Sequence, residues 1–116
     1  MHYPTLVVLD TKPENLESAV AEALYGYQDR EWDWYQIGGR WAHTFAHNVK
    51  KVASLTDADV AKFFAIVPSG YGWYAREHFE PWRPNGECFV PAELPPLAWL
   101  REQFPDGVAV CVDCHN

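Results

Sequence analysis

Apolar residues run unbroken from Leu6 to Leu9, flanked by Thr5 and Asp10. So short a run, rich in β-branched side chains, predicts a central strand over residues 5–10 that is buried on both faces. The period then changes. Leu16, Val20, Ala23, Leu24 and Tyr27 recur at helical spacing and mark one stripe of an amphipathic helix. Thr11 is the expected N-cap, with Glu14 three residues on completing a capping box, and Gly26 weakens the last turn. A strand joined so closely to a helix opens a β-α-β unit.

Alternation replaces helical spacing in the next segment. Trp32, Trp34 and Gln36 are expected on one side of a strand, with Asp33, Tyr35 and Ile37 on the other. Gly38-Gly39 suits a two-residue hairpin turn. Residues 40–47 then read as the returning strand, with Trp41, His43, Phe45 and His47 on one face. Residues 48–54 are basic and loop-like. A helical turn is expected near 57–62, followed by a hairpin over about 63–76 around Pro68-Ser69-Gly70. Residues 77–95 carry Pro81, Pro84, Pro91 and Pro95 and read as an extended surface loop. Pro95-Pro96 starts a helix running to about Phe104, and residues 108–112 form a last buried strand. The order predicts a single α+β domain over residues 1–116. Its expected form is a ferredoxin-like sandwich, a mostly antiparallel sheet with two helices on one face and an inserted hairpin.

Composition narrows the partners. Nine basic against sixteen acidic residues give a net charge of −7. Direct nucleic-acid binding is disfavoured, because neutralising phosphates needs a basic face. The carboxylates are scattered rather than set in rows, so mimicry of nucleic acid is not indicated. No apolar run is long enough to span a bilayer, and Met1-His2-Tyr3-Pro4 lacks the basic start of a secretory signal. With three cysteines, an odd number, the expectation is reduced thiols in a cytoplasm.

Aromatics make up 16% of the chain, a share high enough that part of it points to a site. The densest group predicts a ligand pocket built from Trp32, Trp34, Tyr35, Gly38, Gly39, Arg40 and Trp41, closed by Trp73 and Tyr74. Aromatic faces stack on bases, an arginine fork grips phosphate or carboxylate, and glycine amides cradle an anion. The competing reading places the tryptophans over the sheet, the glycines in a turn and Arg40 on Asp33.

Three separated motifs carry a resemblance. The Trp32-Asp33-Trp34-Tyr35…Ile37-Gly38-Gly39-Arg40-Trp41 core, the turn from Pro68 to Trp73 and the closing Asp113-Cys114-His115 are similar to those of small uncharacterised proteins of tailed bacteriophages and prophages. The resemblance implies an accessory protein working in the bacterial host cytoplasm, and it brings no reaction with it.

The remaining chemistry-bearing residues read weakly. Cys111-Val112-Asp113-Cys114-His115 matches a haem-attachment pattern, but neither an oxidising compartment nor a helical haem fold is suggested. A metal site would recruit Cys88, Cys111, Cys114, His115 and the His43/His47 pair, yet on a strand residues 111 and 114 project to opposite faces. Cys114 and His115 do not make a nucleophile and base by adjacency, since such sets assemble from distant segments. Asp113 is expected to orient groups at the end of the central sheet. Loop residues His78, Phe79, Trp82 and Arg83 have the composition of a binding edge.

Binding is therefore favoured over catalysis, with no cofactor and no metal assigned. The expected role is counter-defence, by holding a small nucleotide-like ligand or by docking on a host defence protein. The alternatives are an anti-CRISPR-type inhibitor with an acidic aromatic surface and a small metal- or thiol-dependent enzyme. Homodimerisation through an edge strand or the loop is plausible.

Overall fold

The computed structural model describes residues 1–28, 32–75 and 94–116. The expected loop 77–91, with Cys88 and the binding-edge residues, lies outside them. Among the described residues there are six strands, β1 (His2–Leu9), β2 (Trp34–Ile37), β3 (Val49–Lys51), β4 (Ala65–Pro68), β5 (Tyr74–Ala75) and β6 (Val108–His115). They share one mixed sheet. Three α-helices accompany it, α1 (Leu16–Leu24), α2 (Asp57–Val60) and α3 (Leu97–Gln103).

β1 and β6 lie at the centre and pair antiparallel along their whole length, from His2↔His115 to Leu9↔Val108. β1 also pairs in parallel with β4, and β5 closes that side antiparallel to β4. Leu6, Val7 and Val8 are fully buried. Each such side chain contributes about 1.5–3 kcal/mol by leaving water, which is why the central strands have no polar alternation. The outer edge of β6 is shared: β3 pairs with residues 108–110 and β2 with residues 112–115. Residues 38–48 connect the two and lay Phe45 and Trp41 against the sheet.

The α+β class is as expected, but the helices are not on one face. Val20 and Leu24 of α1 pack with Tyr3, Val7, Val67, Val110 and Val112. Leu100 of α3 and Val60 of α2 pack with Leu6, Val8, Ile66, Ala109 and Cys111 on the opposite face. Because both faces of the central strands are apolar, a single helix layer would leave one of them in water.

Four local expectations also change. α1 starts at Leu16, and its N-cap is Asn15, whose side chain accepts the Ser18 amide at 3.0 Å. Pro13 explains the shift, since the residue before a proline is driven out of the helical region. The Gly38-Gly39 hairpin does not form. Gly38 donates its amide to Cys111 O at 2.8 Å, residues 39–41 make a 3-10 turn, and the supposed returning strand is irregular until β3. A polar residue pair at 50 and 51 masks β3, which the sequence reads as loop. Finally, a bend at Asp33 breaks the alternation, so Trp32 joins Tyr35 and Ile37 on the α1 face while Trp34 is exposed. The cap of α2 by Thr56 appears as the sequence predicts, and the expected hairpin is present as β4 and β5.

Candidate functional site

Asp113 is the one carboxylate that β6 carries into the sheet, and it is only 1% exposed. Burying a charge is tolerated where donors surround it. His2 donates from Nδ1 to Asp113 Oδ1 at 2.8 Å, and the Arg40 backbone amide donates to Oδ2 at 3.1 Å. The Gly38-Gly39-Arg40 turn is thereby docked on the carboxylate. Both glycines have positive φ, +75° and +51°, and a Cβ on Gly39 would lie 2.5 Å from Asp113 Oδ2. Glycine is required there by conformation and by space.

A second imidazole–carboxylate pair stands beside the first. His115 donates from Nδ1 to Asp33 Oδ1 at 2.8 Å, and the Asp33 amide donates to His115 O at 2.8 Å. Cross-strand pairing of His2 with His115 puts their ring centres 5.0 Å apart, and the exposed Trp34 meets His2 edge-on at 5.8 Å. The core motif and the closing motif, about 80 residues apart in the chain, thus meet at this corner.

Next to the pairs, on the same sheet face, a cleft of about 380 Å³ is lined by Pro4, Trp41, His43, Thr44, Lys62 and Phe63. Pro4 lies opposite Asp113 in the β1–β6 register, so cleft and carboxylate are neighbours. Trp41 is half-buried against the α2/α3 core, while Arg40, His43 and Lys62 are exposed. The cleft offers an aromatic face, a hydroxyl, an imidazole and a cation.

The nine residues expected to form one pocket do not converge. Trp32 and Trp73 are 8% and 2% exposed and belong to the core under α1. Trp32 Nε1 donates to Leu24 O at 2.9 Å, and Trp73 packs on Tyr3 and Tyr27. Tyr35 meets Trp32 edge-on on that same face, and burial, then Glu17 and Cys114, raise its pKa. Tyr74 on β5 is half-buried, and burial raises its pKa as well. Trp34, Gly38, Gly39, Arg40 and Trp41 belong to the corner just described. Asp33 faces His115, so the expected Arg40–Asp33 pair gives way to a histidine pair.

His43 and His47 are also separated. His43 lines the cleft, whereas His47 adopts positive φ and lines a groove with Lys12, Leu16, Val49 and Lys51. Among the described residues no group of three or more His, Cys, Asp or Glu is arranged to hold a metal ion. Cys111 and Cys114 are buried, on opposite faces. Burial pushes the Cys111 thiol up to about 11 and the Cys114 thiol up to about 12. Neither is a nucleophile near neutral pH.

His2, Thr44 and Lys62 are the site residues that sequence reasoning missed. The one available signal was a titratable residue, His2, just ahead of the apolar run of β1. No helix among the described residues is long and apolar enough to cross a membrane. No protein family, curated protein or solved structure matches the chain.

Proposed function

We propose that the chain is a phage-type accessory protein that counters a host defence in the bacterial cytoplasm by binding a small nucleotide-like anion. The ligand occupies the cleft of Trp41, His43, Thr44 and Lys62, with Arg40 at its rim. The supporting observation is the docking of the Gly38-Gly39-Arg40 turn on buried Asp113 through the Arg40 amide, next to Trp41 in a cleft that also contains Lys62 and Thr44. An aromatic face for a base next to cationic donors for phosphate is the pairing a nucleotide needs. The net charge of −7 does not oppose this, since distant carboxylates are screened over about 8 Å at physiological salt.

Native mass spectrometry of protein purified from bacterial cells, followed by titration calorimetry with nucleoside mono- and diphosphates, tests the reading. A retained nucleotide mass, or saturable binding that Trp41→Ala and Lys62→Ala each weaken about tenfold, is the expected result. Absence of binding by any nucleotide, with a host protein co-purifying instead, moves the reading to docking on a defence protein.

A further inference from the structure

We propose that His2 and His115 are a general acid–base pair, and that the corner they form cleaves a phosphodiester bond adjacent to a ribose 2′-hydroxyl. The inference rests on the cleft being a nucleotide site and goes beyond it, from holding the ligand to cutting it.

Both rings are committed in the same way. Each Nδ1 is taken by a carboxylate at 2.8 Å, which leaves Nε2 as the atom that exchanges protons. The carboxylates are themselves held. Asp113 is buried with its second oxygen on the Arg40 amide, and Asp33 is tied through its own amide to the His115 carbonyl. Such backing fixes tautomer and ring orientation, as a catalytic imidazole requires. The side chains remain accessible, 23% exposed for His2 and 38% for His115. Two oriented, accessible imidazoles stand 5.0 Å apart beside a cleft. His2 also satisfies buried Asp113, whereas His115 pairs with an exposed carboxylate that needs no such partner.

Two imidazoles move two protons, and this sets the substrate class. One ring, with Nε2 bare, acts as base, and the other, with Nε2 carrying a proton, acts as acid. The neutral ring takes the proton of the ribose 2′-hydroxyl, and that oxygen bonds to phosphorus. The bond from phosphorus to the 5′-oxygen breaks, and the protonated ring delivers its proton to the leaving oxygen. The products are a 2′,3′-cyclic phosphate and a 5′-alcohol. No oxidant, reductant or further co-reactant enters, and solvent exchange resets the rings. Lys62, which lines the cleft, supplies positive charge for the phosphoryl oxygens. His2 and His115 are the catalytic residues; Asp113 and Asp33 are positioning residues.

The full chain is incubated near neutral pH with uridylyl-(3′→5′)-adenosine, and products are separated by chromatography. Uridine 2′,3′-cyclic phosphate and adenosine are expected, with the 2′-deoxyuridylyl analogue left intact. His2→Asn and His115→Asn each lower the rate about 100-fold or more, and Asp33→Asn lowers kcat at unchanged KM. Thermal melts of these variants within a few degrees of the parent exclude unfolding as the cause. The proposal is overturned if the deoxy analogue binds, by tryptophan fluorescence, while the ribose dinucleotide is never cut; the ligand reading then survives alone. It is overturned equally if the His2→Asn/His115→Asn double variant cleaves at the parent rate. If neither dinucleotide binds and the ribose form is not cut, the ligand reading and the reaction fall together.

Discussion

Gly39 and Asp113 are in direct contact: the Asp113 side chain occupies the space where a Cβ on Gly39 would stand. The turn and the carboxylate are therefore built for each other, and the rest of the corner is hung on that contact.

Gly39→Ala is expected to lower stability by about 2–4 kcal/mol, the sum of a left-handed backbone for alanine and a forced shift of Asp113. Gly70→Ala is the control. Its φ is also positive, +84°, but nothing lies within 4 Å of the added methyl, so only the backbone cost of about 1–2 kcal/mol applies. Urea denaturation of the two variants measures the difference. Equal losses would show that the Gly39–Asp113 contact is not tight.

The two tryptophans that flank Asp33 are expected to behave oppositely. Trp32→Ala empties a core position and removes the indole hydrogen bond to the Leu24 carbonyl, at a cost of about 3–5 kcal/mol. Trp34 is 47% exposed, and Trp34→Ala should change stability by no more than about 0.5 kcal/mol. Thermal melts separate the two. The exposed indole instead reports on the corner, so Trp34→Phe should reduce any fluorescence change on ligand binding.

Thiol chemistry has a defined pH window. With Cys88 replaced by serine, Cys111 and Cys114 should not react with a dithiobis reagent at pH 8 in the native state, and should react fully in urea. Their pKa values rise from an ordinary 9.0 to about 11 and about 12, chiefly through burial. The folded state thus holds these protons more tightly than the unfolded chain. The associated stability is complete below pH 9.0 and is lost as pH climbs through about 11 and about 12. Rapid labelling of native protein at pH 8 would contradict the burial.

Asp59 titrates in the opposite sense. Burial pushes its pKa up, but the Lys50 ammonium and the Thr56 amide and hydroxyl outweigh this and bring it below the ordinary 3.8. Its contribution is present above that value and disappears as pH falls through the lowered one. Lys50→Met should remove about 1 kcal/mol at pH 7, a modest figure because a third of the lysine side chain is exposed. Denaturant midpoints at pH 7 and near pH 3 check it: the gap between parent and variant should narrow in acid.

Local pattern was enough for the elements whose signals are local. The apolar run of β1, the stripe that becomes α1, the Thr56 cap, the hairpin of β4 and β5 and residues 108–112 of β6 all follow from side-chain period and cap chemistry, which act over a few residues. The edge strand β3 and the turn at Gly38 did not, because their hydrogen-bond partners lie on β6, about 60 or more residues later in the chain.

From the residues alone came the α+β class, the importance of the Trp32–Trp41 segment and the expectation that Asp113 orients its surroundings. Which indole faces solvent was a tertiary matter. A single bend at Asp33 reverses the side on which Trp32 lies, and period-two alternation contains no record of such a bend. The corner of His2, Asp33, Asp113 and His115 was likewise invisible in one dimension. It exists because the first and last strands pair at the centre of the sheet, and only that long-range register brings groups from near both ends of the sequence within hydrogen-bond reach.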